Sequence, residues 1–225
     1  MKLMLYDVDF NNEVPWLDGE VWGLECSSQT YFACLIRQIK GYDQGHVAIV
    51  NEENELDWVK DAVTFMDYYA LDGIEKTVFA KYGKLLDATC RGEEWTPLLD
   101  NAEQVILALL RQIDDDDLQW DYRVPRTISS YLKFGNAHVV NASWSVAENM
   151  QNVCTLIAAS RGYAVCVLVN AKSFFTIDEL NEILKSCVYH GLRVLLIDNI
   201  RTDYLLFNEK KIAIDEDFYD IMITV

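Results

Sequence analysis

Residues Asp114 to Asp121, DDDDLQWD, put four consecutive aspartates beside Gln119 and Asp121. Adjacent carboxylates repel one another, and this run follows a helical pattern whose C-terminal dipole disfavours negative charge, so something must offset the cost. Solvation in a loop is one solution. A hard cation is another: Ca²⁺ accepts several carboxylate and carbonyl oxygens in flexible geometry, and Mg²⁺ accepts fewer. The spacing is not DxDxDG, so the run is not an EF-hand loop. A third reading, the acids of a metal-dependent nuclease, needs two metals clamped beside a general base. No histidine lies near, and no second acidic motif of that kind is present. Arg123, Arg126 and Lys133 follow the acids. Arg126 and Lys133 share a face if Pro125–Phe134 is helical. They read either as a solvated polar face or as point contacts for phosphates.

Other reactive residue types are scattered. Cys26, Cys34, Cys90, Cys154, Cys166 and Cys187 include no CxxC pair, and Cys34, Cys166 and Cys187 fall in apolar stripes or strands, the pattern of buried reduced thiols. His46, His138 and His190 are far apart and have no ligand spacing. The strand-to-helix junction CSSQT, where many nucleotide-binding α/β proteins carry a glycine-rich phosphate cradle, has neither glycine nor lysine, and GxxxxGK[ST] is absent from the chain. The formal charge of −17 argues by itself against nucleic acid unless charge is segregated or cancelled by metal. No apolar run approaches a membrane span, and Met1–Phe10 carries acids where a signal peptide has an apolar core. The chain is therefore expected to be soluble and cytoplasmic.

The elements that must position these residues centre on Tyr163 to Asn199. Ala164–Val169 and Arg193–Asp198 read as strands covered on both faces. Between them Thr176 and Glu179 form a capping box, Ile177, Leu180, Ile183, Leu184, Cys187 and Val188 form one apolar stripe, and Gly191 ends the helix. This is a βαβ crossover and implies a parallel sheet. Lys2–Val8, Glu20–Glu25, Val47–Val50, Ala62–Tyr68, Lys211–Ile214 and Phe218–Ile223 are further strands, and EENELD is a solvated loop. From Asp72 to Phe134 the pattern is helical, with Gly92 between two amphipathic helices and Thr96 capping the second ahead of Pro97. Two such helices pack as an antiparallel hairpin. Residues 71–136 are thus read as an all-helical module inserted into an α/β domain of residues 1–70 and 137–225; the plainer alternative is that these helices cover the sheet.

The order VLVN-AKSFFTIDEL, GLRVLLIDN and IDEDFYDI resembles the Csn-two family, the CRISPR-associated adaptation proteins of type II-A systems, and LDGEVWGLE and DDLQWD are similar to that family too. The resemblance spans most of the chain and rests on the order and spacing of short segments. It implies an α/β parallel-sheet head, similar to a nucleotide-hydrolase fold without a phosphate loop, and an inserted all-helical leg. It further implies a calcium-requiring, ring-shaped homotetramer that binds double-stranded DNA without sequence preference, favouring free ends. Such proteins act in antiviral defence, with the CRISPR integrase pair and the effector nuclease, when spacers are acquired, and have no catalytic activity of their own. Asp117 and Asp121 fall on the family's acidic calcium positions. Gln119 stands where a relative has a carboxylate, so a neutral oxygen or a water would replace one charged ligand, with Asp115 and Asp116 as substitutes. Arg123, Arg126 and Lys133 are the expected DNA contacts from their place in the leg. A ring of this kind would be acidic outside and basic along its lumen. The rival expectations are a metal-dependent nuclease using Asp114–Asp121 and an acidic protein-binding scaffold.

Overall fold

The computed structural model describes residues 1–7, 10–43, 47–51, 54–92, 94–112, 124, 126–214 and 220–223, with the backbone path alone at 3–7, 10–13 and 220–223. The chain opens with a hairpin of β1 (Lys2–Asp7) and β2 (Phe10–Pro15), then β3 (Val21–Cys26) and α1 (Gln29–Ile39). Next come β4 (Val47–Asn51), β5 (Asn54–Glu55), the short α2 (Trp58–Asp61) and β6 (Ala62–Phe65). Three helices follow: α3 (Leu71–Thr89), α4 (Thr96–Arg111) and α5 (Ile128–Phe134). The last part comprises α6 (Val146–Ser160), β7 (Val165–Val169), α7 (Ala171–Phe174), α8 (Ile177–Tyr189), β8 (Val194–Asp198), β9 (Glu209–Ile214) and β10 (Asp220–Ile223).

The main sheet has the order β10-β9-β3-β8-β7-β6, and all its pairs are parallel except β10 with β9. A second, antiparallel sheet has the order β2-β1-β4-β5. The main sheet is buried on both faces, which is why VWGLEC, VCVLV and VLLID are nearly unbroken apolar runs. Side chains alternate along each strand. Val21, Cys166, Leu168, Val194 and Leu196 face a core closed by Met150, Val153 and Ile157 of α6 and Leu180, Ile183 and Leu184 of α8. Trp22, Leu24, Val167, Leu195 and Ile197 face the other core, filled by Leu35 and Ile39 of α1, Trp16, and Val47 and Ile49 of β4. Each fully buried aliphatic side chain contributes about 1.5–3 kcal/mol relative to exposure.

The helix caps follow the local chemistry. Ser145 and Glu148 form a reciprocal capping box at α6, as Thr176 and Glu179 do at α8, and Gly191 takes a positive φ of 72° beyond the end of α8. Other elements differ from the sequence expectation. β2 (FNNEVP) is too polar to read as a strand and is recruited by pairing with β1. The EENELD segment includes β5 and leads into α2, capped by Asp57. Thr96 is not a cap: α4 starts one residue earlier, with Trp95 at the N-cap position and no side-chain hydrogen bond. The expected hairpin of α3 with α4 is replaced by close packing of α3 on α6 and α5, and none of α4's residues is buried. The N-terminal half of α3 joins the core on the α6–α8 side of the main sheet through Leu71 and Val78.

Candidate functional site

In an open parallel sheet, ligands bind outside the carboxyl ends of the strands where the strand order reverses. Here that point flanks β3: the chain arrives at β8 from β7 on one side, then passes over β3 to β9 on the other. Three acids and two lysines of this part of the molecule are all buried. Glu25 lies near the end of β3, Asp198 ends β8, Lys172 enters α7 just after β7, and Glu209 and Lys211 point from β9 to the same face as Glu25.

The Lys172 ammonium bonds Glu25 Oε1 at 2.8 Å and Glu209 Oε1 at 2.5 Å, with all three side chains fully inaccessible. Lys211 Nζ lies 3.0 Å from Glu25 Oε1 and donates to the Thr202 carbonyl at 2.9 Å, the Thr202 hydroxyl at 2.7 Å and the Tyr204 carbonyl at 2.7 Å. The Thr202 N–H and hydroxyl donate in turn to Glu25, at 2.9 and 2.5 Å. Glu209 starts opposite Val21 and reaches across Gly23, where any Cβ would collide with its carboxylate. Gly23 is therefore required for close approach. The Lys172 N–H donates to Asp198 Oδ1 at 3.1 Å, whereas Asp198 Oδ2 is buried without a partner among the described residues.

Burial sets the titration of this cluster. It pushes the Asp198 carboxyl up to about 6, with Glu25 and Glu209 adding to the rise against the pull of Lys172. Burial also works against the Glu25 carboxylate, but the hydrogen bonds from Lys172 and Thr202 outweigh it and hold Glu25 below the ordinary carboxylate range. For Lys172, burial favours the neutral amine, and Glu209 and Glu25 reverse that and raise it. The outcome is a closed set of internal counter-ions, with both ammonium groups committed to buried acceptors.

The neighbouring junction fits a bound phosphate no better. The Ser27 N–H donates to the Ile214 carbonyl at 2.9 Å, and Ser28 caps α1 by accepting the Tyr31 N–H at 3.3 Å. Strand passes to helix through two serines, with no glycine loop whose amides could wrap an anion and no lysine beside it.

The sequence-predicted residues fall elsewhere. Asp115, Asp116, Asp117, Gln119, Asp121 and Arg123 lie outside the described residues. Among the described residues no group of His, Cys, Asp and Glu is arranged to hold a metal. Arg126 precedes α5, whose start is set by Thr127 capping the Ser130 N–H, so Arg126 and Lys133 do not share a helical face. Arg126 instead pairs with Asp100 and, through Nε at 3.4 Å, with Glu103 of α4. Lys133 lies in the last turn of α5 and lines a groove of about 400 Å³ with Lys76 and Lys84 of α3. None of these three lysines forms an ion pair with another described residue. Sequence reasoning missed Lys76, Lys84 and the whole Lys172 cluster. The signal available for the cluster was charge inside apolar strands: Glu25 in VWGLEC and Lys211 in EKKIAI.

No known family model matches the sequence, and no curated protein matches it. The fold is similar to that of Stu0660 of Streptococcus thermophilus, a crystal structure superposing at a TM-score of 0.50 over 95% of this chain and 74% of that one, with 14% identity. A metal-chelate type ABC transporter in an inward-facing conformation aligns at a TM-score of 0.46 and 10% identity over 95% of this chain and 74% of its own. The ADP conformation of MJ1267, an ATP-binding cassette of an ABC transporter, aligns at 0.42 and 13% identity over 92% and 87%. The Stu0660 likeness and the five parallel strands define the fold class, α/β with a parallel-sheet core. No described helix is long and apolar enough to cross a membrane.

Proposed function

We propose that this chain is a non-enzymatic, double-stranded DNA-binding protein of CRISPR spacer acquisition, assembling as a calcium-dependent homotetrameric ring, with residues 71–136 as its leg. The observation that carries the reading is the commitment of Lys172 and Lys211 to buried glutamates at the strand ends. A nucleotide-hydrolase-like head whose cations are internally neutralised supplies a scaffold, and anion binding passes to the exposed lysines of the α3–α5 groove. The family resemblance of the strand and helix segments supports the biological setting. Calcium enters through donor chemistry: Asp115, Asp116, Asp117 and Asp121 with the neutral oxygen of Gln119 are hard ligands suited to Ca²⁺, and they would hold one part of the leg against another.

The test is a band shift with linear duplex, in calcium and in excess chelator, with light scattering on the same samples. Retardation and a four-fold larger mass in calcium, both lost in chelator, are the expected results. Retardation unchanged by chelator removes calcium from the reading. Shortened DNA in Mg²⁺ or Mn²⁺ replaces it with the nuclease reading, and no retention at low salt replaces it with a protein-binding scaffold.

A further inference from the structure

The groove between α3 and α5 has a construction that DNA binding alone does not require. Gly83 abuts Ser129, where an added Cβ would lie 2.7 Å from the serine Cβ, and Ser129 also bonds Asp87 at 3.0 and 2.6 Å. At the other end the Glu75 carboxylate accepts the N–H groups of Val139 and Val140. These two ties hold the segment from Ser129 to Val140 along α3, and Lys133 lines the groove with Lys84 and Lys76. Phe79, Ala80, Leu132, Ser129, Asn136 and His138 also line it. Lys76 and Lys84 are two turns apart on α3, about 12 Å along the axis.

The combination is specific. A volume of about 400 Å³ lies within the range of small-molecule sites. Three ammonium groups without an ion-pair partner among the described residues, in a chain of formal charge −17, call for a ligand with more than one negative charge. The half-buried Phe79 ring and Leu132 call for a flat apolar body. Glu75 also lines the groove; it forms no ion pair with these lysines, and its Oε1 accepts the N–H groups of Val139 and Val140.

We infer that this groove binds a nucleotide unit, its base against Phe79 and Leu132 and its phosphates on Lys84, Lys133 and Lys76. The unit has two sources, a free nucleotide or the terminal nucleotide of a DNA strand, and the chemistry of recognition is the same for both. In the second case the site deepens the DNA-binding reading; in the first it is independent of it.

The experiment is calorimetric titration of the full chain with ATP, AMP, adenosine, inorganic phosphate and a short 5′-phosphorylated blunt duplex. The same titrations are run on Lys84→Ala/Lys133→Ala and on Phe79→Ala. The two lysines are exposed, so their loss leaves the fold intact, and unchanged circular dichroism and melting temperature check this. ATP binding that falls about tenfold or more in the lysine variant, with adenosine and phosphate each much weaker than ATP, supports a free nucleotide. Duplex binding that falls likewise while ATP does not bind supports the terminal nucleotide. Inorganic phosphate binding as tightly as ATP, unchanged binding of ATP and duplex in the lysine variant, or binding of neither, overturns the inference. Nucleotide binding without any duplex binding leaves it standing and removes the DNA reading instead.

Discussion

The main sheet holds Lys172 and Lys211 in a dry network, and the α3–α5 groove holds Lys76, Lys84 and Lys133 in water; the contrast separates two uses of the same side chain. In the head, Lys172 and Lys211 have lost their hydration and are held by carboxylates and carbonyls at 2.5–3.0 Å. A buried ion pair of this sort adds little net stability over an apolar replacement, but breaking one side of it is expensive. It locks α7, β3, β8 and β9 and the loop through Thr202 in one arrangement. In the groove, Lys76, Lys84 and Lys133 form no ion pair with another described residue, so among the described residues their charge is uncommitted. Positive charge at Lys172 and Lys211 is structural, and under the proposed reading the groove lysines are the ones that bind.

The largest effect that could break this contrast is expected from Lys172→Met. Glu25 keeps Lys211, but Glu209 is left with only the Leu206 N–H at 2.8 Å on its other oxygen. An uncompensated buried carboxylate costs about 3–5 kcal/mol, measured as a loss in denaturant-unfolding free energy. Adding Glu209→Gln should restore at least half of that loss, since a neutral amide needs no counter-charge. A loss below about 1 kcal/mol in the single variant would mean that water reaches the network, and the contrast would collapse.

Asp198 offers a smaller effect with a defined pH signature. Folding raises its carboxyl from 3.8 to about 6, so the folded chain binds more protons across that interval. The stability it contributes is therefore complete below the unfolded value and is lost as pH rises through about 6. Asp198→Asn removes the titration and keeps an oxygen for the Lys172 N–H. Relative to the parent, the variant should gain stability between pH 4 and pH 7, by roughly 2–3 kcal/mol at most. Glu25 acts in the opposite sense: its depressed carboxyl contributes stability above its unfolded value of 4.5 that is lost as pH falls further. Unfolding curves from pH 4 to 8 decide the matter through the slope, and a parent–variant gap that is flat with pH would show Asp198 ionised in both states.

These two residues also show where the sequence stops being readable. The crossover of β7, α8 and β8 is legible because its signals are local: a capping box three residues wide, a stripe of steps three and four, and Gly191 just past the end. The glycine-free CSSQT junction is legible for the same reason. Lys172 and Glu25 are 147 positions apart, and no local pattern tells a buried lysine after a strand from a solvated one at a helix start. Arg126 fails similarly. Its helical face with Lys133 depended on a helix beginning near Pro125, but Thr127 caps α5 later and Asp100 and Glu103 claim the guanidinium from another helix. The groove is half legible: Lys133 reads from sequence as either a solvated polar residue or a phosphate contact, but Lys76 and Lys84 become its neighbours only once Gly83 brings α3 against Ser129.

The smallest stability effect, and the sharpest test of the contrast, belongs to the groove. Lys76→Ala, Lys84→Ala and Lys133→Ala remove exposed side chains that form no ion pair with another described residue, so each should change unfolding free energy by no more than about 0.5 kcal/mol. Under the DNA-binding reading the same substitutions must show in solution binding. A lysine that neutralises one phosphate releases a counterion, so its loss lowers the slope of log affinity against log salt by about one. The triple variant should lose about three units of slope if all three lysines meet phosphates, while Arg126→Ala, already paired with Asp100, should lose less than one. Titrating duplex into the five variants at several salt concentrations gives these slopes directly. If Arg126→Ala costs as much slope as any groove lysine, its ion pair opens on binding, and the division between committed and available charge must be drawn at the buried network alone.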